Sequence, residues 1–438
     1  MTDLEGLYTA HVTTLVDRTS AALERTGYDR LVVHAGDLVK TSRFDDLEYP
    51  FRPVPAFAHW VPWPWPGSAL LLEKGRSARL LARRRTDFWE RLEAPEAELV
   101  RAGLDVAEVD QLDEASEWAK RKRTAFVGES PATGMRLGFD EAALNPAPLV
   151  AELHELRVHK TPYEVETLAE ANRQAVRGHR AIAEAFAAGE RSELALNLAY
   201  LAAIEQDATE TPYQNIVALG TAASVLHHHH YGRRPGAASL LVDAGAATRG
   251  YGADVTRTHV APGDPTPFAA LVDAMDRLQR EVVGRIEVGK GYEQLHDEAH
   301  ALLGRLLVEA EMVGCSAEAA VETGLTRVFF PHGLGHSLGV QVHDVGCLNT
   351  PPRAENAWLR NTRTIEPGQV FTIEPGLYFI DALLDALRSA PAGESVHWAR
   401  VDPLRPYGGI RIEDDVHVLS PTSNHRVRNL TREAFSTR

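Results

Sequence analysis

The chain has 438 residues, 44% of them hydrophobic and 24% charged, and 61 acids outnumber 46 lysines and arginines for a formal charge of −15. This length exceeds one ordinary core and points to two domains, while the acid excess argues against nucleic acid or an anionic membrane as the main partner. Cys315 and Cys347, the two cysteines, lack metal-type spacing, which excludes a disulfide framework and suits a cytoplasmic setting; no basic leader and no apolar run of roughly 20 residues, the length that spans a bilayer, is present.

In chain order, YDRLVVHAG (28–36) and SALLLEKG (68–75) read as strands. Residues 49–67 hold six prolines and three tryptophans. They cannot form a regular helix or a central strand, and are expected to be a rigid aromatic-packed loop or a lid. Thr161, Pro162 and Glu164 carry a helix-start pattern: a capping hydroxyl, a proline in the first turn, and a glutamate three residues on. A long amphipathic helix follows. The change of character sets a domain boundary near residue 155, giving an N-terminal domain at 1–155 and a C-terminal domain at 156–438, both mixed α/β.

SLLVDAGAATRGYGADVTRTHV (239–260) reads as a β-hairpin with a long glycine-rich turn, Asp243 and Asp254 falling on its two arms. Two carboxylates directly opposed on paired strands, with Cβ atoms roughly 4.5–5.5 Å apart, repel unless a cation lies between them. Glu374 ends the apolar strand of GQVFTIEPG, and Glu413 lies in the alternating YGGIRIEDDVHVL, where Ile410 and Ile412 point one way and Arg411 and Glu413 the other. FFPHGLGHSLGVQVHDVG (329–346) adds His332, His336 and His343. Its glycines, and the lack of a glutamate after the first histidine, argue against a zinc-protease helix. In an extended segment His332 and His336 share a face and can join the carboxylates. Four carboxylates balance two divalent cations, and oxygen-dominated ligation favours a hard or intermediate metal such as Mn²⁺. Two such ions about 3.5–4 Å apart can hold a bridging hydroxide and polarise a substrate oxygen.

These stretches, with TPYQNIVALG, HKTPYEVETL and RFDDLEYPFRPVPAFAHWVP, resemble the pita-bread metallopeptidases, and among them the bacterial Xaa-Pro dipeptidase (prolidase) branch. The likeness covers nearly the whole chain. It implies a small N-terminal α/β domain followed by a C-terminal pita-bread domain of the creatinase/aminopeptidase type. It also implies the ligand set Asp243, Asp254, His336, Glu374 and Glu413. His336 and Glu374 would bind one metal and Asp243 the other, with Asp254 and Glu413 bridging. Glu374 would shuttle the proton of the attacking water. His332 and His343 would stabilise the tetrahedral intermediate and help protonate the leaving nitrogen. His227, Tyr213 and Tyr292 resemble substrate-pocket residues, Arg411 would orient Glu413 or touch substrate, and Asp45 resembles a residue that reaches a neighbouring subunit's site.

The implied protein is a cytoplasmic homodimer with two Mn²⁺ per subunit that cleaves Xaa-Pro dipeptides, and organophosphate triesters as a side activity. Arg411 or His332 would pair with the proline carboxylate. The rivals are an aminopeptidase P acting on longer Xaa-Pro-Yaa peptides and a non-catalytic peptide-binding protein on the same fold. One departure stands out. Three further histidines, His228, His229 and His230, intervene between His227 and Tyr231, and read as an exposed loop.

Overall fold

The computed structural model describes residues 3–84, 96–423 and 425–437. It divides into two compact units, residues 1–167 with 249–251, and residues 168–248 with 252–438; the division falls within the helix Pro162–Ala187, beyond the change of composition near 155.

The first unit is built on a five-stranded sheet: β1 (Arg30–His34), β2 (Ala69–Glu73), β3 (Arg79–Arg83), β4 (Asp105–Val109) and β5 (Thr124–Val127), in the order β4-β3-β2-β1-β5. β1 pairs antiparallel with β2 and parallel with β5. Val32, Leu71, Leu81, Phe126 and Phe139 form one face of its core. The proline-rich segment is irregular apart from one helical turn, Pro55–Ala58. Trp60 and Trp65 are buried, and the Tyr8 hydroxyl donates to the Trp60 carbonyl (2.7 Å). From Phe57 onward this stretch is packed structure.

The helix start at Thr161 forms as its residues dictate. The Thr161 N–H donates to Glu164 Oε2 (2.8 Å), and the Glu164 N–H donates back to Thr161 Oγ1 (3.4 Å). Glu164 does more than cap. It is buried, with Oε1 3.3 Å from His59 Nε2 and receiving the Tyr251 hydroxyl at 3.2 Å. Burial alone would raise its pKa, but His59 and then His11 outweigh it and hold the carboxyl well below the usual carboxylate range.

In the second unit, β6 (Ile216–Leu219), β7 (Ser239–Asp243) and β10 (Thr256–Val260) form an antiparallel sheet in the order β10-β7-β6. The turn between β7 and β10 carries a smaller ladder of β8 (Ala247–Thr248) and β9 (Tyr251–Gly252). A second sheet joins β11 (Val370–Ile373), β14 (Asp414–Val418) and β15 (Val427–Asn429), and β12 (Gly376–Tyr378) pairs with β13 (Gly409–Arg411). Helices Phe268–Gly284 and Tyr292–Glu309 contribute Phe268, Met275 and Leu303 to a large core with Phe371 and Ile410.

The hairpin expectation needs one correction. Asp243 faces Thr256 across the ladder, not Asp254. The register continues through Ala244 N–H to Val255 O (3.0 Å) and Ala253 N–H to Ala246 O (2.9 Å), to a tip at Arg249 and Gly250. Both tip residues have positive φ, +49° and +83°, the geometry a two-residue hairpin turn requires. That register sets Asp254 opposite Gly245. The two aspartates are therefore diagonal neighbours on one face, a separation of about 7–8 Å between Cα atoms that leaves space for a cation.

Candidate metal centre

Five chain segments deliver the acidic site. Asp243 ends β7, Asp254 precedes β10, Glu374 follows β11, and Glu413 sits in the break between β13 and β14. His336 comes from the irregular stretch after Phe330, which contains no helix, as its glycines predicted. Gly335 is required there: a Cβ would lie 2.2 Å from the Thr372 carbonyl and 2.5 Å from the Tyr292 hydroxyl. This close approach lets the His336 N–H donate to Thr372 Oγ1 (3.1 Å) and the Glu374 N–H donate to the Leu334 carbonyl (2.9 Å), locking His336 beside Glu374.

The side chains converge. His336 Nε2 is 3.4 Å from Asp254 Oδ2 and 3.7 Å from Glu374 Oε1. Glu413 Oε2 accepts the Thr256 hydroxyl at 2.6 Å. Asp254, His336 and Glu413 each offer a ligand atom within 4.8 Å of the others and are all buried, the one such group of three among the described residues. Asp243 Oδ2 accepts Arg411 Nη2, while its Oδ1 is buried without a hydrogen-bond partner.

Electrostatics carry the same message. Burial pushes the Glu374 carboxyl up to about 7, against the pull of His336 and Arg411. Burial, then Asp254 and Glu374, raises Glu413 well above the carboxylate range. Burial raises Asp243 too, with Arg411 opposing it. For Asp254 burial is outweighed by His336, which holds it low. His336 itself is lifted to about 9, its burial overcome by Asp254 and Glu374. Carboxylates that resist ionising together, around an orphaned carboxylate oxygen, fit a divalent cation.

The residues around this cluster sort by their hydrogen bonds. His332 Nδ1 faces the Gly333 carbonyl (2.8 Å) and Nε2 faces the Tyr378 hydroxyl (2.9 Å). The carbonyl can only accept, so the proton sits on Nδ1 and Nε2 accepts from Tyr378. Burial, then Arg411, lowers His332 to about 3, so it is neutral. Arg411 donates to Tyr378 Oη (2.8 Å), to Asp243 and to Thr256 Oγ1 (3.2 Å). It reaches Glu413 through Thr256, and three of its five N–H groups make these bonds.

The His343 ring stands edge-on to His336, centroids 4.4 Å apart, and its Nδ1 accepts Arg360 Nη1 (3.0 Å). Its proton therefore sits on Nε2. Burial, then His336 and Arg360, lowers it to about 4. Tyr213 donates to Asp254 Oδ1 (2.5 Å). Tyr292 is fully buried, donating to the Thr372 carbonyl (2.8 Å) beneath the strand that leads to Glu374. His227 is exposed. Asp45 belongs to the first unit, where its exposed carboxylate accepts the Leu47 N–H (3.2 Å).

His332 gives its one N–H to the Gly333 carbonyl, and Arg411 uses three of its five N–H groups within the cluster. Sequence reasoning missed Arg360 and Tyr378. The four-residue step from Glu374 to Tyr378 across a Pro-Gly break gives no periodic signal, and Arg360 lies in a loop with none.

Comparison with known proteins gives the family. Residues 166–420 match metallopeptidase family M24, and residues 6–154 match the Xaa-Pro dipeptidase N-terminal domain. The chain is 41% identical to a Xaa-Pro dipeptidase of Aeromonas hydrophila (99% of this chain, 100% of that one) and 40% identical to one of Xanthomonas euvesicatoria (99% and 98%). Among solved structures, Pseudomonas aeruginosa aminopeptidase PepP superposes with a TM-score of 0.72 at 23% identity, covering 95% of this chain and 94% of that one. Proline aminopeptidase P II from Yersinia pestis gives 0.70 at 24%, covering 99% and 97%. Those two share the fold. With Asp, His and Glu ligands gathered in one buried cluster and relatives this similar along its full length, the chain belongs to metallopeptidase family M24, in its Xaa-Pro dipeptidase branch.

Proposed function

We propose that the chain hydrolyses dipeptides with C-terminal proline at a centre of two divalent ions, Mn²⁺ being the metal its oxygen-rich ligands suit. The observation that carries this is the buried convergence of Asp254, His336 and Glu413, with the orphaned Asp243 Oδ1 beside it. Asp243, Asp254, His336, Glu374 and Glu413 would hold the ions. Bound there, they supply a Lewis acid for the peptide carbonyl and lower the pKa of water.

The chain's own groups do the rest. Glu374, with its raised pKa, is suited to take a proton from water near neutrality. His343 presents Nε2–H and is the donor for the prolyl nitrogen. His332 is a neutral acceptor braced by Tyr378 and Arg411, and it fixes the wall opposite. Arg360, exposed and joined to His343, is the cation available for the proline carboxylate.

Homodimerisation, with Asp45 serving a neighbouring site, belongs to the same reading. Its support is the exposure of Phe44 (84%), Leu47 (65%) and Tyr49 (57%) around Asp45, an apolar patch suited to a protein contact. A cytoplasmic location and organophosphate triester hydrolysis as a side activity complete the proposal. The test is the rate on Xaa-Pro against Xaa-Pro-Yaa after chelation and Mn²⁺ addition. Faster cleavage of the dipeptide, restored by Mn²⁺, is expected; equal rates on both would overturn it.

A further inference from the structure

The histidine run at 227–230 departs from a plain exposed loop at one position. His228 is buried, while His227, His229 and His230 are exposed. Its Nε2 lies 3.0 Å from Glu193 Oε2. Glu193 opens the helix Glu193–Ile204 and is completely buried. Its carboxylate also accepts the Gly232 N–H (2.7 Å), the Leu219 N–H (2.9 Å) and Arg234 Nε (3.2 Å). Burial alone would raise this carboxyl, but the Leu219 and Gly232 amides and His228 outweigh burial and hold it below the usual carboxylate range.

The main chain is tied at the same place. Glu193 N–H donates to Gly232 O (2.9 Å) and Arg234 N–H to Arg191 O (3.0 Å). Tyr231 Oη donates to the Asn215 carbonyl (2.6 Å), and Gln214 Nε2 to the His229 carbonyl (3.2 Å). The loop is thus stitched to the segment that carries Tyr213. His228 turns inward to Glu193, while the exposed rings of His227 and His229 on either side of it stack at 14° with centroids 6.3 Å apart. His227 is also near enough to add to the lowering of His332 that burial and Arg411 begin, and to that of His343 after burial and His336.

We propose that Glu193 and His228 are positioning residues: the buried carboxylate selects which histidine of the run turns inward, and so presents His227 to the substrate side of the metal centre. This rests on the Xaa-Pro dipeptidase reading. The extra histidines then have a division of labour. One is the anchor, and its neighbour is the contact. Removing the anchor leaves Glu193 three other donors, so the fold does not depend on it, whereas the aim of His227 does.

The test uses the Mn²⁺-loaded full chain with His228→Leu and His228→Gln. Leucine fills the space without a donor; glutamine keeps an N–H for Glu193. His228→Leu is expected to raise KM for a Xaa-Pro dipeptide roughly tenfold, with kcat within about threefold and metal content unchanged, and His228→Gln to restore KM. Wild-type KM in His228→Leu, or a fall confined to kcat, overturns the proposal. Amide hydrogen exchange across 227–232 separates the two levels. Exchange unchanged in His228→Leu removes the anchor whatever the substrate. Faster exchange, in an enzyme whose wild type cleaves no Xaa-Pro dipeptide, upholds the anchor and overturns the dipeptidase reading instead.

Discussion

Asp254 joins two parts of the site: it receives Tyr213 on one oxygen and stands 3.4 Å from His336 with the other. Asp254→Asn keeps the shape and removes the charge. It should leave fewer than two ions tightly bound and lower activity by several orders of magnitude; full metal content by elemental analysis with near-normal turnover would contradict the assignment. The histidines separate by their bonds. His336→Ala should lose metal. His343→Ala should keep it and lose roughly 10²–10⁴-fold in rate, the usual span for a general acid. Arg360→Ala tests the other end of the substrate. If it binds the proline carboxylate, KM for Xaa-Pro should rise about tenfold or more, while the prolinamide analogue, which lacks that charge, should be cleaved as by wild type. An equal loss on both would reassign Arg360 to holding His343.

At the level of elements, the centre depends on one antiparallel register. Thr256, directly opposite Asp243, places its hydroxyl between Glu413 and Arg411. It is therefore the joint between the first sheet and the strand break that carries Glu413, and the isolated bridge of Thr256 with Glu413 fixes the main chains as well. Thr256→Val retains the β-branched shape and deletes the hydroxyl. Mn²⁺ affinity should fall about 10–100-fold, the span usual for partners that orient metal ligands, with the folded structure retained. Calorimetric titration checks it, and unchanged affinity would show that the backbone bridge alone suffices. A hairpin was readable from composition, and so were its glycine turn and the two aspartates. Its register was not, because the tip could have fallen at more than one glycine, and a shift of one residue exchanges the faces.

Across the molecule, buried neutral histidines link folding to pH. Burial lowers His11, His259 and His296 to about 4, His179 to about 3 and His300 to about 2. Unfolded, each would titrate near 6.5, so below that pH the unfolded chain binds the protons and stability falls with pH, by up to about 1.4 kcal/mol per pH unit for each histidine. Melting temperature should drop steadily from pH 7 toward 4; a flat profile would mean that these rings acquire partners on acidification. What the sequence by itself determined is whatever is local or composition-driven. The capping box at Thr161 and Glu164 involves neighbours three residues apart. The strand character around Asp243, Glu374 and Glu413, and the non-helical glycine stretch around His336, follow from side-chain type. The order of the five proposed ligands came from family likeness. Tertiary structure alone decided the rest. Arg411 binds Tyr378, Asp243 and Thr256, and Arg360 binds His343. Asp243 opposes Thr256 and not Asp254. His228, within four identical residues, is the one that turns inward. Each depends on which groups from distant segments desolvate one another. A donor is spent or free, and a carboxylate is paired or orphaned, only once the strands have met, and no spacing along the chain encodes that directly.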